Sequence, residues 1–326
     1  MDFELRERYF VELDKEKREL INKQTNLLDN KFSKIISCPL CDETHKNNEQ
    51  LFIKDGYTFV RCGKCEMIFT NPQVDPGLLA ELYGRSEVND LWVEIQESKK
   101  EQGWKKAYYE DNIDVINNFR KSDQINLMDI GCSSGYFLEV LNDYQSAING
   151  GGCELSDKAF KYAKNKGLDV YNCFLSELDE KIKYDIFTLF GVLEHLPNLS
   201  KIFEDIRLKS NKGALILAIV PNAYSLYHMF LQSKSVSFDG RNHLLYFSKK
   251  TFTEVFEKQG FEILKLDTVL TGMDNIKRQM QWLDPYKYSN TSKYLNDSII
   301  DSCINEEYIK KNNLGLRLRI VARLKD

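Results

Sequence analysis

Three groups of residues have the types and spacing to do chemistry. Cys38-Pro-Leu-Cys41 and Cys62-Gly-Lys-Cys65 are two Cys-x-x-Cys pairs with twenty residues between them. Four thiolates so spaced suit one tetrahedral zinc ion, and they close its coordination shell, so the site predicted is structural, with no open position for catalysis. The second group is Asp129-Ile-Gly131-Cys132-Ser133-Ser134-Gly135, a turn of small residues behind the apolar run Leu127, Met128 and Ile130. A turn that opens a helix presents free N–H groups and a positive dipole end to a polar or anionic ligand group. The third group is histidine: of the four in the chain, His195 follows Glu194 and His243 lies in a later loop. Imidazole is the side chain whose proton exchange falls nearest neutrality.

The spacing of the glycines decides between ligands. A dinucleotide fingerprint needs glycine at the first, third and sixth positions. From Gly131 those places hold Gly131, Ser133 and Tyr136, so that pattern fails. A phosphate-binding P-loop would end Gly-Lys-Ser/Thr, which is absent here. What remains is a strand ending in an acid, a small-residue loop, and a helix from Tyr136, half of a βαβ unit. About 25 residues beyond Asp129, the stretch 148–153 reads as a second strand with Glu154 at its end, placed to accept hydrogen bonds from both hydroxyls of a ribose. Asp157 already fills the role of a helix-start carboxylate.

The elements that must position these groups follow from the chain as a whole. Its 326 residues, 42% hydrophobic and 12% aromatic, suffice for a sizeable core in one large domain or two ordinary ones. A net charge of −4 gives no global reason for binding nucleic acid or an anionic membrane. No apolar run reaches the length of a membrane span, and the N-terminus is charged throughout without the form of a signal peptide. Eight cysteines then suggest metal ligation and buried thiols, so a soluble cytoplasmic protein is expected.

Four regions are expected. Residues 1–37 carry eight acidic and eight basic residues with a narrow apolar stripe, which reads as amphipathic helix packed on the body of the chain or on a second copy in a homodimer. Residues 38–72 form the zinc ribbon, its hairpin turning at Asp55-Gly56. Between Lys34 and Thr70, five basic residues balance five acidic ones, so the ribbon is not a basic patch. Asn71-Pro72 and Asp75-Pro76-Gly77 mark a boundary, after which 73–125 is a helical connector or cap rich in aromatics, among them Tyr83, Trp104, Tyr108 and Tyr109. Residues 126–326 form the α/β domain, with a helix-prone, aromatic insertion at 271–312 read as a substrate-side cover. The alternation over 315–322 is that of a half-exposed final strand.

Asp129-x-Gly131-x-x-x-Gly135 behind a hydrophobic residue resembles the first motif of the class I S-adenosylmethionine (SAM) methyltransferases, hydrophobic-Asp-x-Gly-x-Gly-x-Gly. It departs from that motif at Ser133, where the middle glycine usually sits. The succession of a strand over 184–190, Leu193-Glu194-His195-Leu196, a helix over 199–208, Gly213, a strand over 214–220 and Pro221-Asn222 closely resembles the same family. The resemblance implies a Rossmann-like seven-stranded sheet of order 3-2-1-4-5-7-6, its last strand antiparallel. It also implies SAM contacts at Asp129, Gly131, Cys132, Ser133, Gly135, Tyr136, Glu154, Leu155, Phe190 and Gly191, with Phe174 and Leu175 flanking the adenine. Helices ahead of the first strand close over the cofactor in that family.

A four-cysteine module ahead of such a domain resembles enzymes that methylate nucleotide-linked sugars or related cell-surface building blocks. Those acting on a sugar carbon usually carry a further large C-terminal domain, which leaves O- or N-methylation ahead here. A hydroxyl acceptor needs a base; His195, at the end of the fourth strand, and His243, after the fifth, are the candidates, with Glu194 to orient His195 or bind substrate. The alternatives are an RNA methyltransferase gripping RNA with its ribbon and a non-catalytic SAM-binding protein.

Overall fold

The computed structural model describes residues 3–122, 124–144, 147–273 and 305–325. The chain opens with α1 (Phe3–Glu19), then enters β1 (Ser33–Lys34), β2 (Asn48–Lys54), β3 (Tyr57–Cys62), β4 (Ile68–Thr70) and β5 (Gln73–Val74). Three helices follow, α2 (Pro76–Arg85), α3 (Glu87–Glu97) and α4 (Lys99–Phe119). The α/β part runs β6 (Ile125–Ile130), α5 (Tyr136–Tyr144), β7 (Ile148–Cys153), α6 (Asp157–Asn165), β8 (Asp169–Tyr171), β9 (Tyr184–Phe190), α7 (Leu199–Lys209) and β10 (Ser210–Pro221). It closes with α8 (Leu226–Leu231), β11 (Leu245–Tyr246), α9 (Lys249–Lys258), β12 (Phe261–Val269), α10 (Glu306–Lys311) and β13 (Arg317–Leu324).

Seven strands form the central sheet in the order β8-β7-β6-β9-β10-β13-β12. The pairings from β8 to β10 are parallel, and β13 runs antiparallel to both its neighbours. That is the expected order, with the final strand inserted the expected way. Burial shows why these segments are strands. Along β10 the residues Leu215, Leu217 and Ile219 face α4 and α5, whereas Ile216, Ala218 and Val220 face α7 and α9. A strand covered on both faces must be apolar at every covered position, and β10 is so from Ala214 to Val220.

The helix starts are written in the chain. Asp75 caps α2, accepting from the N–H groups of Gly77 and Leu78, with Pro76 in the first turn. The sequence signal read as a boundary is therefore also the first turn of the helix. Ser86 caps α3, and the helical connector expected over 73–125 divides at Ser86 and Ser98 into α2, α3 and α4. Helix α1 packs on α3, Tyr9 meeting Trp92 at 5.4 Å, so residues 3–19 lie on the body of their own chain.

The cysteine-bearing segment is a second sheet of order β11-β4-β3-β2. The β2–β3 hairpin turns at Asp55-Gly56, both with positive φ, as a tight two-residue turn requires. Its fourth strand comes from far along the chain: β11 pairs with β4, Leu245 opposite Phe69 and Tyr246 opposite Ile68. The ribbon core, with Phe59, Met67 and Phe69, is thereby continuous with the core beneath the large sheet, with Leu244 and Phe247 between. The expected cover at 271–312 falls largely on 274–304, outside the described residues.

Candidate active site

The loop after β6 is fixed by the strands beside it. The N–H groups of Gly131 and Cys132 both donate to the Cys153 carbonyl, at 2.8 and 3.1 Å, tying the loop to the end of β7. Gly152 makes this approach possible, since a Cβ there would meet Cys132 Cβ and Sγ at 2.7 Å. Gly131 and Gly135 have positive φ, and so does Ser133, at +50°, a conformation in which a side chain is uncommon. Ser133 thus occupies the family's glycine position with glycine's backbone.

Glu154 is what holds Ser133 there. Its Oε2 accepts the Ser133 N–H at 2.9 Å and its Oε1 the Ser156 N–H at 2.7 Å. Burial raises its pKa, and those N–H groups oppose the rise. Each oxygen keeps a lone pair, so the carboxylate can still accept from a ribose while bracing the loop. Asp129 is different. It is buried under the loop, accepts from the Thr188 hydroxyl at 2.7 Å, and burial, with Glu154 nearby, lifts its pKa to about 8. It lies near the end of β6, just ahead of the loop.

The remaining cofactor candidates divide. Tyr136 donates its hydroxyl to the Gln102 carbonyl of α4 at 3.1 Å, and Tyr109 of the same helix packs on Phe190 at 5.2 Å. Helix α4 therefore lies against the loop and the end of β9, as the resemblance implies. Leu155 and Phe174 are exposed beyond Glu154, whereas Leu175, 3% exposed, points into the core. Gly191, with φ +71°, turns the chain out of β9 beside the Arg317 guanidinium.

Across that turn lies a second constellation, built from three separate segments. The short turn Leu193–His195 after β9 carries Glu194 and His195, and the loop before β11 carries His243. The two imidazole centroids are 4.9 Å apart. His195 Nδ1 lies 2.8 Å from the Asn242 carbonyl and 2.5 Å from the Tyr83 hydroxyl of α2, which itself donates to the Asn242 carbonyl. His243 Nδ1 lies 2.9 Å from the Ser237 carbonyl. A carbonyl only accepts, so each Nδ1 carries a proton, and in the neutral ring the lone pair is on Nε2. Burial lowers the His195 pKa, partly opposed by Glu194 and reinforced by His243, which favours the neutral ring. Asp239 accepts from the N–H groups of Arg241, Asn242 and His243, and so shapes the loop. His228 stands apart, its Nδ1 2.6 Å from the Asn222 carbonyl and its pKa brought down to about 4 by burial.

Tyr83, Asp239 and Asn242 complete this cluster. Tyr83 is legible beforehand only as one of many aromatics in the cap. Asn242 and Asp239 are visible only as neighbours of His243, because nothing local says which carbonyl will meet which imidazole.

The four thiols converge as expected. Cys38 and Cys65 Sγ are 3.4 Å apart, Cys41 and Cys62 Sγ 3.6 Å, and all four sulfurs lie within 4.8 Å of one another. Sulfurs around tetrahedral zinc at about 2.3 Å stand about 3.8 Å apart, so the donor set fits that ion. The two knuckles share one geometry: the N–H of Asp42 returns to the Cys38 carbonyl and that of Glu66 to the Cys62 carbonyl, both at 3.0 Å, with Asp42 and Glu66 both at positive φ.

The sheet order and the loop at the end of its first strand define the class I, Rossmann-like methyltransferase fold. A family model described as a methyltransferase domain matches residues 103–266, half of the 326-residue chain, and the chain belongs to that family. Among solved structures, a chain of the complex between the Haloferax volcanii Trm112 methyltransferase activator and its methyltransferase is similar, with a TM-score of 0.50 and 14% identity over 73% of this chain and 97% of that one. The plantazolicin methyltransferase BpumL in complex with SAH is similar at TM-score 0.50 and 13% identity, over 76% of this chain and 94% of that one. At such identities the likeness is one of fold. No curated protein matches the chain. No helix among the described residues is long and apolar enough to cross a membrane.

Proposed function

We propose that the protein transfers a methyl group from SAM to a hydroxyl of a small-molecule acceptor, a sugar or nucleotide-linked sugar. The observation that carries this reading is the pair of imidazoles beside the cofactor loop, each with its Nδ1 proton held by a backbone carbonyl and its Nε2 lone pair available. A hydroxyl needs such a group, whereas an amine is nucleophilic without one. SAM, when bound, supplies a methyl group already activated on sulfonium. The chain's part is to align the acceptor oxygen and remove its proton. His195 is the favoured base, because the strand end, Tyr83 and the Asn242 carbonyl all fix it, with His243 the other candidate. Glu154 receives the ribose, the loop from Gly131 to Gly135 the methionine part, and Phe174 and Leu155 border the adenine. Cys38, Cys41, Cys62 and Cys65 hold one structural zinc ion.

A panel of nucleotide sugars assayed with methyl-labelled SAM tests this. Transfer to one of them, lost in His195→Gln with SAM binding intact, is the expected result. Transfer to an amine acceptor that survives both His195→Gln and His243→Gln would remove the hydroxyl reading.

A further inference from the structure

We infer that Glu194, His195 and His243 together hold a divalent first-row cation, whose open positions take an oxygen of the acceptor. This rests on reading the cluster as the acceptor site, and specifies how that site makes a hydroxyl reactive. One ligand atom from each of the three residues lies within 4.8 Å of the others. Donors bound at about 2.1 Å stand about 3.0–4.2 Å apart around an ion, so side-chain shifts of under about 1 Å close the set.

Three features make this a cation site rather than a chance meeting. Both imidazoles have the outer hydrogen bond of a ligating imidazole, Nδ1 donating to a backbone carbonyl, which leaves Nε2 as the nitrogen that can bind an ion. Glu194 is 1% exposed, and its Oε2 has no hydrogen-bond partner among the described residues. A buried carboxylate oxygen left so is costly unless something positive meets it. Finally, Glu194, His195 and His243 each bring an electron-pair donor atom to the cluster. The Tyr83 hydroxyl is spent on the opposite side, at Nδ1 of His195 and the Asn242 carbonyl.

Two imidazoles and a carboxylate select zinc, cobalt, iron or manganese and leave positions open, unlike the closed four-thiolate site. An acceptor hydroxyl on such an ion has a lowered pKa, so its proton can leave to water while the oxygen stays aimed at the methyl group. The imidazoles then act on that proton through the ion, and the role given above to His195 as base passes to the ion it helps to hold.

The experiment is a titration of the zinc-loaded full chain with Co²⁺, read by absorption and metal analysis. About one Co²⁺ per chain should bind with weak nitrogen–oxygen-type bands and no thiolate charge-transfer bands, beside the zinc retained by the cysteines. Glu194→Gln and His243→Gln should each weaken that binding by at least about 100-fold, since losing an outer partner of a ligand alone costs 10–100-fold. Retained zinc and unchanged SAM binding would show these variants folded. Absence of Co²⁺ binding to the zinc-loaded wild type overturns the inference, as does binding unchanged in the Glu194→Gln/His243→Gln double variant. Hydroxyl methylation that resists chelation of the second ion also overturns it, while leaving the acceptor-site reading intact. Co²⁺ binding that these variants abolish without slowing methyl transfer would instead keep the ion and remove the acceptor-site reading.

Discussion

The two sides of the candidate active site are built in opposite ways. On the cofactor side, Asp129, the loop to Gly135 and Glu154 belong to consecutive elements, and adjacent parallel strands bring them together. On the acceptor side, Tyr83, Glu194, His195 and His243 come from three separate stretches, joined by single contacts such as the Leu244 N–H to the Glu194 carbonyl at 2.8 Å. Local order secures the first side, and long-range packing the second. A perturbation remote from both should therefore reach the acceptor side first.

The strongest way to break the comparison is to remove the thiolates. Cys62→Ala, or stripping the ion, should abolish methyl transfer while SAM affinity, followed by calorimetry, changes only a few-fold, because β11 and His243 hang on the ribbon sheet. An equal loss of both would show the two sides to be one cooperative unit. Next in size is the acceptor side itself. His195→Gln should lower turnover by about 10²–10⁴-fold with SAM binding intact, the usual worth of a proton-transfer group. If His243→Gln has that effect and His195→Gln does not, the roles exchange.

The cofactor side is tested by Glu154→Ala, which should weaken SAM binding by roughly 1.5–3 kcal/mol through loss of a charge-assisted hydrogen bond. The same variant should loosen the Ser133 turn, which ought to exchange its amide proton faster. Asp129 gives a pH signature. Its carboxyl, raised from 3.8 to about 8 by burial, stays protonated in the fold after the unfolded chain has lost that proton. Folding stability should fall as pH rises between these two values, and then level off. Asp129→Asn keeps an acceptor for Thr188 and should flatten that slope in denaturation midpoints taken across the window. The smallest effect is expected at Ser133→Gly, a gain of about 0.5–1 kcal/mol in stability from relieving positive φ, visible as a modest rise in Tm.

The same division explains what could be read from the sequence. The strand order follows from the family resemblance carried by Asp129-x-Gly131-x-x-x-Gly135 and Leu193-Glu194-His195-Leu196, while apolar runs mark the inner strands β6, β9 and β10, which are mostly buried. The two Cys-x-x-Cys pairs announced their convergence, and the fourth strand of the ribbon sheet had no such signal: Leu245-Tyr246 is only two residues long and pairs across the whole α/β domain. The break at Ser98 and the inward turn of Leu175 are likewise products of packing. Glu154 was legible as an acid at a strand end, yet its grip on the Ser133 N–H was not, since that depends on a backbone twist that serine seldom adopts.

The sharing of β11 also bears on the order in which the chain can assemble. Lys54 donates to the Ser235 carbonyl 181 residues further on, and β4 waits for Leu245 and Tyr246 over a similar span. Closing so long a loop costs chain entropy before its contacts repay it. During synthesis from the N-terminus the two knuckles emerge early and the strand that completes their sheet emerges late. The cysteines can thus be loaded while the sheet edge at β4 is still open. Docking of β11 then closes that edge and sets His243 beside His195 in one event, making this side of the candidate active site among the last parts of the molecule to form.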